Sequence, residues 1–466
     1  MKLSNLWKVL FKRIKSKMSK VNKEKSNKKF TDDWRRSNIS RTIPSYRNHP
    51  FITTESWLEG KHTDDEAEGL WRIYDTLYDF TPFIAKHPGG SFWLEKTKGT
   101  DITEPFETHH IKGISPLLLQ KYKVREALKP RNYTFTMREK GFYKTLKSRV
   151  AETLKDLDYT PVKKSNLFHL TLLISTLGCS ILSALNAGII FELIAALSLC
   201  WLSTSAHNYF HQKDNWQMYT FNFTLMNFAE WRISHAISHH VYTNSLYDLE
   251  MSLFEPFLCW IPNEHISSKV KRILSVIIQP IFYVAIFPFH FIQRLLRSIF
   301  VKNELLWHDV IGFSLPLLML ICSNSSLANV LLHWSRIIAI GSFLFGLIGL
   351  NAAHHIPTIY HDGDANRKDR DWGLYQLDTV IDRADIKGSQ FMVLTHFGEH
   401  ALHHLFPTLD HGVLPQLYPV FRKTLEEFKE ELRECTFLEH IIGQNKQLLR
   451  TKPNPVPPCE RNKKSN

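Results

Sequence analysis

One stretch of this chain has no way to fold except as helix buried in lipid. Residues 165 to 191 carry no charged side chain, and after Glu192 neither do residues 193 to 212. In a bilayer every backbone N–H and C=O must be satisfied within the segment itself, which selects helices. The residues from Asn166 to Ala206, interrupted at Asn186-Ala187-Gly188, fit two spans of about 20 residues across a hydrocarbon core of about 30 Å. They predict a hairpin that returns to its starting side. Three further apolar segments follow, at 273–292, 310–332 and 337–353.

Histidines gather at the ends of these segments as His207-x3-His211, His235-x3-His239-His240 and His400-x2-His403-His404, with His396 one turn ahead of the last group. Histidines three or four apart on a helix project from one face, and neutral imidazole is a favoured iron ligand. A single pair fits a zinc site or two solvated side chains equally well; three clusters on one side of a membrane chain point to a metal centre. Asn208 follows His207 and Ala236 follows His235, so the HExxH pattern of zinc hydrolases, with its glutamate base, is missing. Eight or nine imidazoles suit two redox-active ions rather than one zinc.

The clusters constrain topology. If they build one site, an even number of crossings separates His240 from His396, so one of the three later segments does not cross. Segment 273–292 contains Gln279, Pro280, Pro288 and His290 and is expected to be interfacial or re-entrant. Four transmembrane helices in two hairpins remain. Arg149, Lys155, Lys163 and Lys164 precede the first span and its turn has no Lys or Arg, which places the N-terminal region and both termini in the cytosol.

Upstream, Leu70 to Tyr74 and Leu77 to Phe80 read as short strands around a turn at Asp75 and Thr76. His87-Pro88-Gly89-Gly90 then presents one imidazole, and His110 supplies another, with His109 as the alternative. Bis-imidazole ligation suits a haem that only passes electrons, because no axial position stays open. Residues 48 to 128 hold thirteen acids and nine bases, a net of −4, and an acidic surface can steer a basic electron donor toward the haem.

The chain has 466 residues and a net charge of +13, but residues 1 to 29 hold eleven Lys or Arg against one acid and account for +10 of it. The remaining +3 argues against a nucleic-acid-binding body. In the basic segment Leu3, Leu6, Trp7, Leu10, Phe11, Ile14 and Met18 recur at helical spacing, as in a helix lying on an anionic membrane surface or a disordered leader. The six cysteines form no CxxC pair and read as reduced thiols. Lys463-Lys464-Ser465-Asn466 has the form of a dilysine signal for the endoplasmic reticulum.

Tyr78-Asp79-Phe80-Thr81-Pro82-Phe83, His87-Pro88-Gly89-Gly90 and Asp101-Ile102-Thr103-Glu104-Pro105-Phe106 resemble the cytochrome b5 family. Its desaturase-fused form places the second axial histidine four residues after the Phe, at His110. The three histidine boxes, closing in His403-His404-Leu405-Phe406-Pro407, together with Thr243-Asn244 and Asp248-Leu249-Glu250, resemble the membrane fatty acid desaturase superfamily. Asn351 and His355 are spaced for the asparagine and histidine that complete that family's centre, with His354 as rival. Asn208 departs from the Asp common after the first box histidine, and the second box has three intervening residues where many fused relatives have two.

The resemblance implies an α+β cytochrome b5-like haem domain followed by an all-α integral membrane desaturase-like domain with about four transmembrane helices. The expected division is a tail at 1–45, haem domain at 48–130, connector at 131–163, desaturase-like domain at 164–440 and tail at 441–466. It implies haem b on His87 and His110, and two non-haem irons on His207, His211, His235, His239, His240, His355, His400, His403 and His404. Asp248 or Glu250 would orient the rings. The partners implied are the lipid bilayer, a flavoprotein of the NADH-cytochrome b5 reductase type, a fatty acyl lipid or acyl-CoA, and O2, with no nucleic acid. The reaction implied is O2-dependent desaturation of acyl chains in the endoplasmic reticulum membrane; the alternatives are hydroxylation, or a membrane haem protein that only carries electrons.

Overall fold

The computed structural model describes residues 35–49, 51–300 and 305–461. The basic segment 1–29 and Lys463-Lys464, on which the surface-helix and dilysine expectations rest, lie outside the described residues. The haem domain starts with α1 (Thr54–Asp64), whose first turn is closed by a reciprocal cap between Thr53 and Ser56. Strands β1 (Trp71–Ile73) and β2 (Thr76–Tyr78) pair antiparallel with Arg72 opposite Leu77, and β3 (Lys123–Glu126) joins the other edge of β2. The hairpin turns at Tyr74 and Asp75, one residue earlier than the propensities suggest. Tyr74 takes a φ of 53° there, and that conformation is held by its N–H donating to Thr103 Oγ1 and its hydroxyl to Glu107. Between the strands lie α2 (Ser91–Thr97) and α3 (Thr103–His109), over a core of Trp71, Ile73, Phe80, Leu94 and Ile102.

The folded body is longer at both ends than composition suggests. Ile39 and Tyr46, expected at or near the end of an N-terminal tail, are buried, and the Tyr46 hydroxyl donates to the carbonyl of Leu246. At the other end Arg450 pairs with the fully buried Asp364, so the segment beyond residue 440 packs on the body. Polar composition cannot separate a solvated tail from one whose charges find internal partners. The connector forms α4 (Phe142–Thr153), tied back to the haem domain by Lys144 and Lys147 on Glu107 at 2.7 and 2.5 Å.

The first apolar stretch forms the expected hairpin of α5 (Thr160–Ala184) and α6 (Ile189–Phe210), turning through Asn186 and Gly188, both at positive φ. Then come α7 (Lys269–Phe300), α8 (Ile311–Cys322) and α9 (Leu327–Gly349). Length and apolar composition alone single out α5, α6, α7 and α9 as able to cross a membrane. Contacts at the helix ends separate α7 from the rest.

The Ser325 hydroxyl after α8 donates to the carbonyl of Ala184, and His333 near the start of α9 meets Glu192 near the start of α6 at 2.8 Å. These contacts lie at the end of the bundle away from His207 and His211. The start of α8 is held on the histidine side, where Asn222 and Asn227 reach His308. The short helix Trp307–Cys322 therefore runs from one end to the other, about 24 Å at 1.5 Å per residue. Helix α7 instead keeps its polar partners on the histidine side: Arg272 donates to the carbonyls of Cys259 and Leu448, and Arg294 pairs with Glu230. Its apolar side chains Ile273, Ile277, Ile281, Ile292 and Ile299 face outward while Arg272, Ser275, Gln279 and Arg294 are buried. This distribution, apolar outward and polar inward, is of the kind found in helices lying along a bilayer surface, while the helix is also long and apolar enough to cross.

The later boundaries differ from the hydropathy reading. Ser326 caps α9 by accepting from Asn329 N–H, so the helix begins at Leu327 and takes in His333, Ser335 and Arg336, which looked like a loop. The reason is Glu192: it is buried and accepts from His333, which lets that polar turn sit inside the bundle.

If α7 lies along one surface, single cysteines at either end share a side. Lys269→Cys and Leu306→Cys, on a cysteine-free background in sealed vesicles, should both be labelled by an impermeant maleimide added to the same face. A crossing α7 would expose one and protect the other.

Candidate metal centre and haem pocket

The haem domain encloses a cavity of about 600 Å³ lined by Phe80, Phe83, Leu94, Ile102, Phe106 and Leu119, with His87 and His110 on opposite walls. The ring centres of those two histidines are 6.2 Å apart. Two imidazoles bound to one iron from opposite sides, each nitrogen about 2 Å from it, put their centres roughly 6 Å apart. The Nδ1–H of His87 donates to the Gly90 carbonyl and that of His110 to the Phe106 carbonyl, each at 2.8 Å, leaving both Nε2 lone pairs free. His109 packs on Trp93 with its Nδ1 on the Pro105 carbonyl. The geometry therefore favours His110 over His109, and the residues present fit a bis-imidazole haem.

The histidine boxes converge on one buried cluster. His207 and His211 stand one turn apart at the end of α6. The second box lies on a π-helical turn, Arg232–His239, whose wider winding brings residues i and i+5 together. His235 and His240 consequently have Nε2 atoms 3.1 Å apart, which accounts for a box with three intervening residues. The third box rides on α10 (His400–Leu405). From His207 Nε2 the matching atom is 2.7 Å away on His235, 3.1 Å on His403 and 3.4 Å on His211.

Among the described residues two all-histidine groupings stand side by side, His207, His211, His235, His240 and His403 in one and His239, His354 and His404 in the other, and a third of His235, His239 and Glu250 links them. His400 joins the second through His354, Nε2 to Nε2 at 2.7 Å. His240 and His404 stack across the boundary at 4.0 Å.

The far sides of several rings are fixed by acceptors. His235 Nδ1–H donates to Glu250 at 2.6 Å, His239 Nδ1–H to Asp248 at 2.8 Å and His354 Nδ1–H to the Thr379 carbonyl at 3.1 Å. Their Nε2 atoms then turn lone pairs toward the neighbouring rings. Burial, together with neighbouring imidazoles, holds His400, His403 and His404 well below the usual histidine range, so these rings are neutral. A buried cluster of imidazoles whose nitrogens converge on one another is a donor set that suits two imidazole-seeking metal ions.

Asn208 has a defined task. Its amide donates to Asp410 at 2.7 Å while its carbonyl accepts from both the backbone N–H and Nδ1–H of His411, each at 2.9 Å. An aspartate there would face the Asp410 carboxylate and repel it, which gives the departure from Asp a local cause. His411 in turn packs on His403, 4.5 Å between centres. The Asp410-His411 pair escaped the sequence reading, although it closely follows the third box.

One expected ligand lies elsewhere: His355 stands outside the cluster, stacked on Trp260 at 4.0 Å, and His354 is the ring that stands within it. Helix α9 ends at Gly349, so the spacing from Asn351 to His355 is not helical and does not keep them on one face. His396 also stays outside: Phe397 and Glu399 have positive φ, and the resulting bend leaves His396 against Trp201.

The fatty acid desaturase family model matches residues 183–435, and that of the cytochrome b5-like haem/steroid binding domain matches residues 54–128. The chain is 55% identical over 429 residues to a "Cytochrome b5-related protein" of Drosophila melanogaster, covering 92% of this chain and 98% of that one. It is 26% identical over 430 residues to a "Probable Delta(5) fatty acid desaturase C" of Dictyostelium discoideum, covering 80% and 89% of the two chains. It is 25% identical over 413 residues to an "Acyl-lipid (8-3)-desaturase" of Mortierella alpina, covering 81% and 92%. No solved structure matches.

The two histidine assignments are separable by metal and haem analysis of purified variants. His354→Ala should lower non-haem iron while His355→Ala retains it, and His110→Ala should abolish the haem spectrum while His109→Ala keeps it. Asp248→Ala, which leaves His239 without its acceptor, should weaken iron binding about 10–100-fold.

Proposed function

This chain belongs to the fatty acid desaturase family, with a cytochrome b5-like domain joined ahead of its desaturase domain, and from that premise we propose that it is a membrane oxidoreductase that desaturates fatty acyl chains with O2. The observation that carries this reading is the convergence of all three histidine boxes and His354 into two adjoining groups beside a haem-sized cavity. A haem would supply electrons singly and two irons would activate O2, the oxidant, which takes two electrons by way of the haem and two with the hydrogens of an unactivated acyl segment and leaves as two waters.

The protein's own part is binding, orientation and exclusion of water. His87 and His110 hold the haem. His207, His211, His235, His239, His240, His354, His400, His403 and His404 hold the two irons, with Asp248 and Glu250 fixing the direction of two of the rings. A narrow apolar slot lined by Trp231, Ile286, Phe345, Gly346 and Phe397 opens onto His235, His239, His354 and His400. At about 40 Å³ it marks the apolar approach to the site rather than room for a whole acyl chain, and its walls keep bulk water from the site. Gly346 leaves no room to spare, since a Cβ there would stand 2.8 Å from Ile286 Cδ1.

The proposed setting is the endoplasmic reticulum membrane, with the haem domain and both termini in the cytosol. The contrast between Arg149, Lys155, Lys163 and Lys164 before α5 and the uncharged turn after it supports that orientation. A flavoprotein of the NADH-cytochrome b5 reductase class is the proposed electron source, and an acyl lipid or acyl-CoA the substrate.

The test is the lipid profile of cells that express the protein or its His239→Ala/His240→Ala variant at equal haem content. New unsaturated acyl chains should form with the first and not with the second. Equal profiles would instead support a protein that carries electrons without oxidising lipid.

A further inference from the structure

The haem cavity and the metal centre share a wall. His211, one of the clustered histidines, also lines the haem cavity, together with Gln212, Lys213 and Ile237. The haem domain meets this wall with Gly90, Phe92 and Trp93. Arg232, only 1% exposed, joins the two sides. Its guanidinium lies 4.7 Å from the Trp93 ring and 5.2 Å from the Phe92 ring. It donates to Asp214 at 2.6 Å and to the carbonyls of Phe210 at 3.0 Å and Gln212 at 3.1 Å. It is also the first residue of the π-helical turn that carries His235 and His239. A planar fork of donors that stacks on aromatic rings is suited to such a junction, and lysine is not.

The second glycine of His-Pro-Gly-Gly belongs to the same contact. A Cβ on Gly90 would stand 2.7 Å from Asp214 Oδ2. Away from the junction the haem domain is held by Trp57, whose indole donates to the Tyr247 carbonyl at 2.9 Å, and by the buried Lys61 ammonium, which donates to the Tyr242 hydroxyl at 2.6 Å.

Resting on the function proposed above, we propose that the haem domain delivers electrons while docked, across the contact of Trp93, Arg232 and His211, and that Arg232 is the positioning residue that sets this contact. Each transfer oxidises ferrous haem by one electron and reduces a ferric ion of the metal centre by one. No bond is made or broken, and the flavoprotein reductase restores the electron.

The test uses full-length holoprotein, with Arg232→Gln and, on a half-exposed side chain that carries less folding risk, Asp214→Lys. The haem is reduced without oxygen, mixed with O2, and followed by its Soret band in a stopped-flow instrument. Haem spectrum, iron content and amide exchange of residues 89–94 are measured on the same samples. Both variants should keep the spectrum and the iron yet re-oxidise at least tenfold more slowly, with faster exchange at 89–94. A merely structural residue would change the spectrum or the iron as well. Re-oxidation at the wild-type rate in an iron-loaded variant overturns the proposal, and Asp214→Lys decides if Arg232→Gln does not fold.

If wild-type protein re-oxidises no faster than iron-stripped protein, the oxidase reading of the centre fails instead. Amide exchange then judges docking by itself: protection of 89–94 that Asp214→Lys removes supports it, and no protection in the wild type overturns it.

Discussion

Imidazole lone pairs forced together in a dry site are the constraint on which this structure depends. Histidine nitrogens stand 2.7 to 3.4 Å apart, several with their Nδ1 protons already committed to carboxylates or carbonyls, which leaves their Nε2 lone pairs turned into the cluster. Hydrogen bonds between rings occupy only part of this donor set, which is of the kind that metal ions bind with release of protons. Much of the surrounding architecture serves to hold those rings in place. Asp248 caps a following helix while it holds His239, and Ser238 both donates to the Tyr247 carbonyl and accepts from Leu249 N–H, which ties the loop carrying Asp248 to the π-helical turn.

The haem domain is part of that support. Tyr46, Trp57 and Lys61 bond to Leu246, Tyr247 and Tyr242, on the segment that links the second box to its two orienting carboxylates. A domain that braces the loop of its neighbour's metal centre has little freedom to swing away. The same contacts hold the segment ahead of the haem fold, Ile39 and Tyr46 among it, on the body. Arg47 reaches across to Glu255 at 2.6 Å, and Asn132 to the Tyr247 hydroxyl at 2.9 Å.

Much of this was legible in the residues. The charge-free run marked the α5–α6 hairpin and the box spacing marked the cluster. What could not be read depended on tertiary partners. Choosing between His354 and His355 required knowing that α9 stops at Gly349, and no cap signal stands there. The start of α9 depended on Glu192, distant in sequence, accepting from His333. Asn208 looked like a defect in a motif until Asp410 and His411 appeared beside it. The described segments next to the tails looked solvated because charges such as those of Arg47 and Arg450 find their partners, Glu255 and Asp364, only in three dimensions.

The central claim is that the cluster holds two redox-active irons beside one haem. The most direct measurement is the ratio of total iron to haem in purified full-length protein, taken with its visible spectrum. The account predicts about three irons per haem and the spectrum of a bis-histidine haem. A ratio of about one that does not rise when iron is added would contradict it.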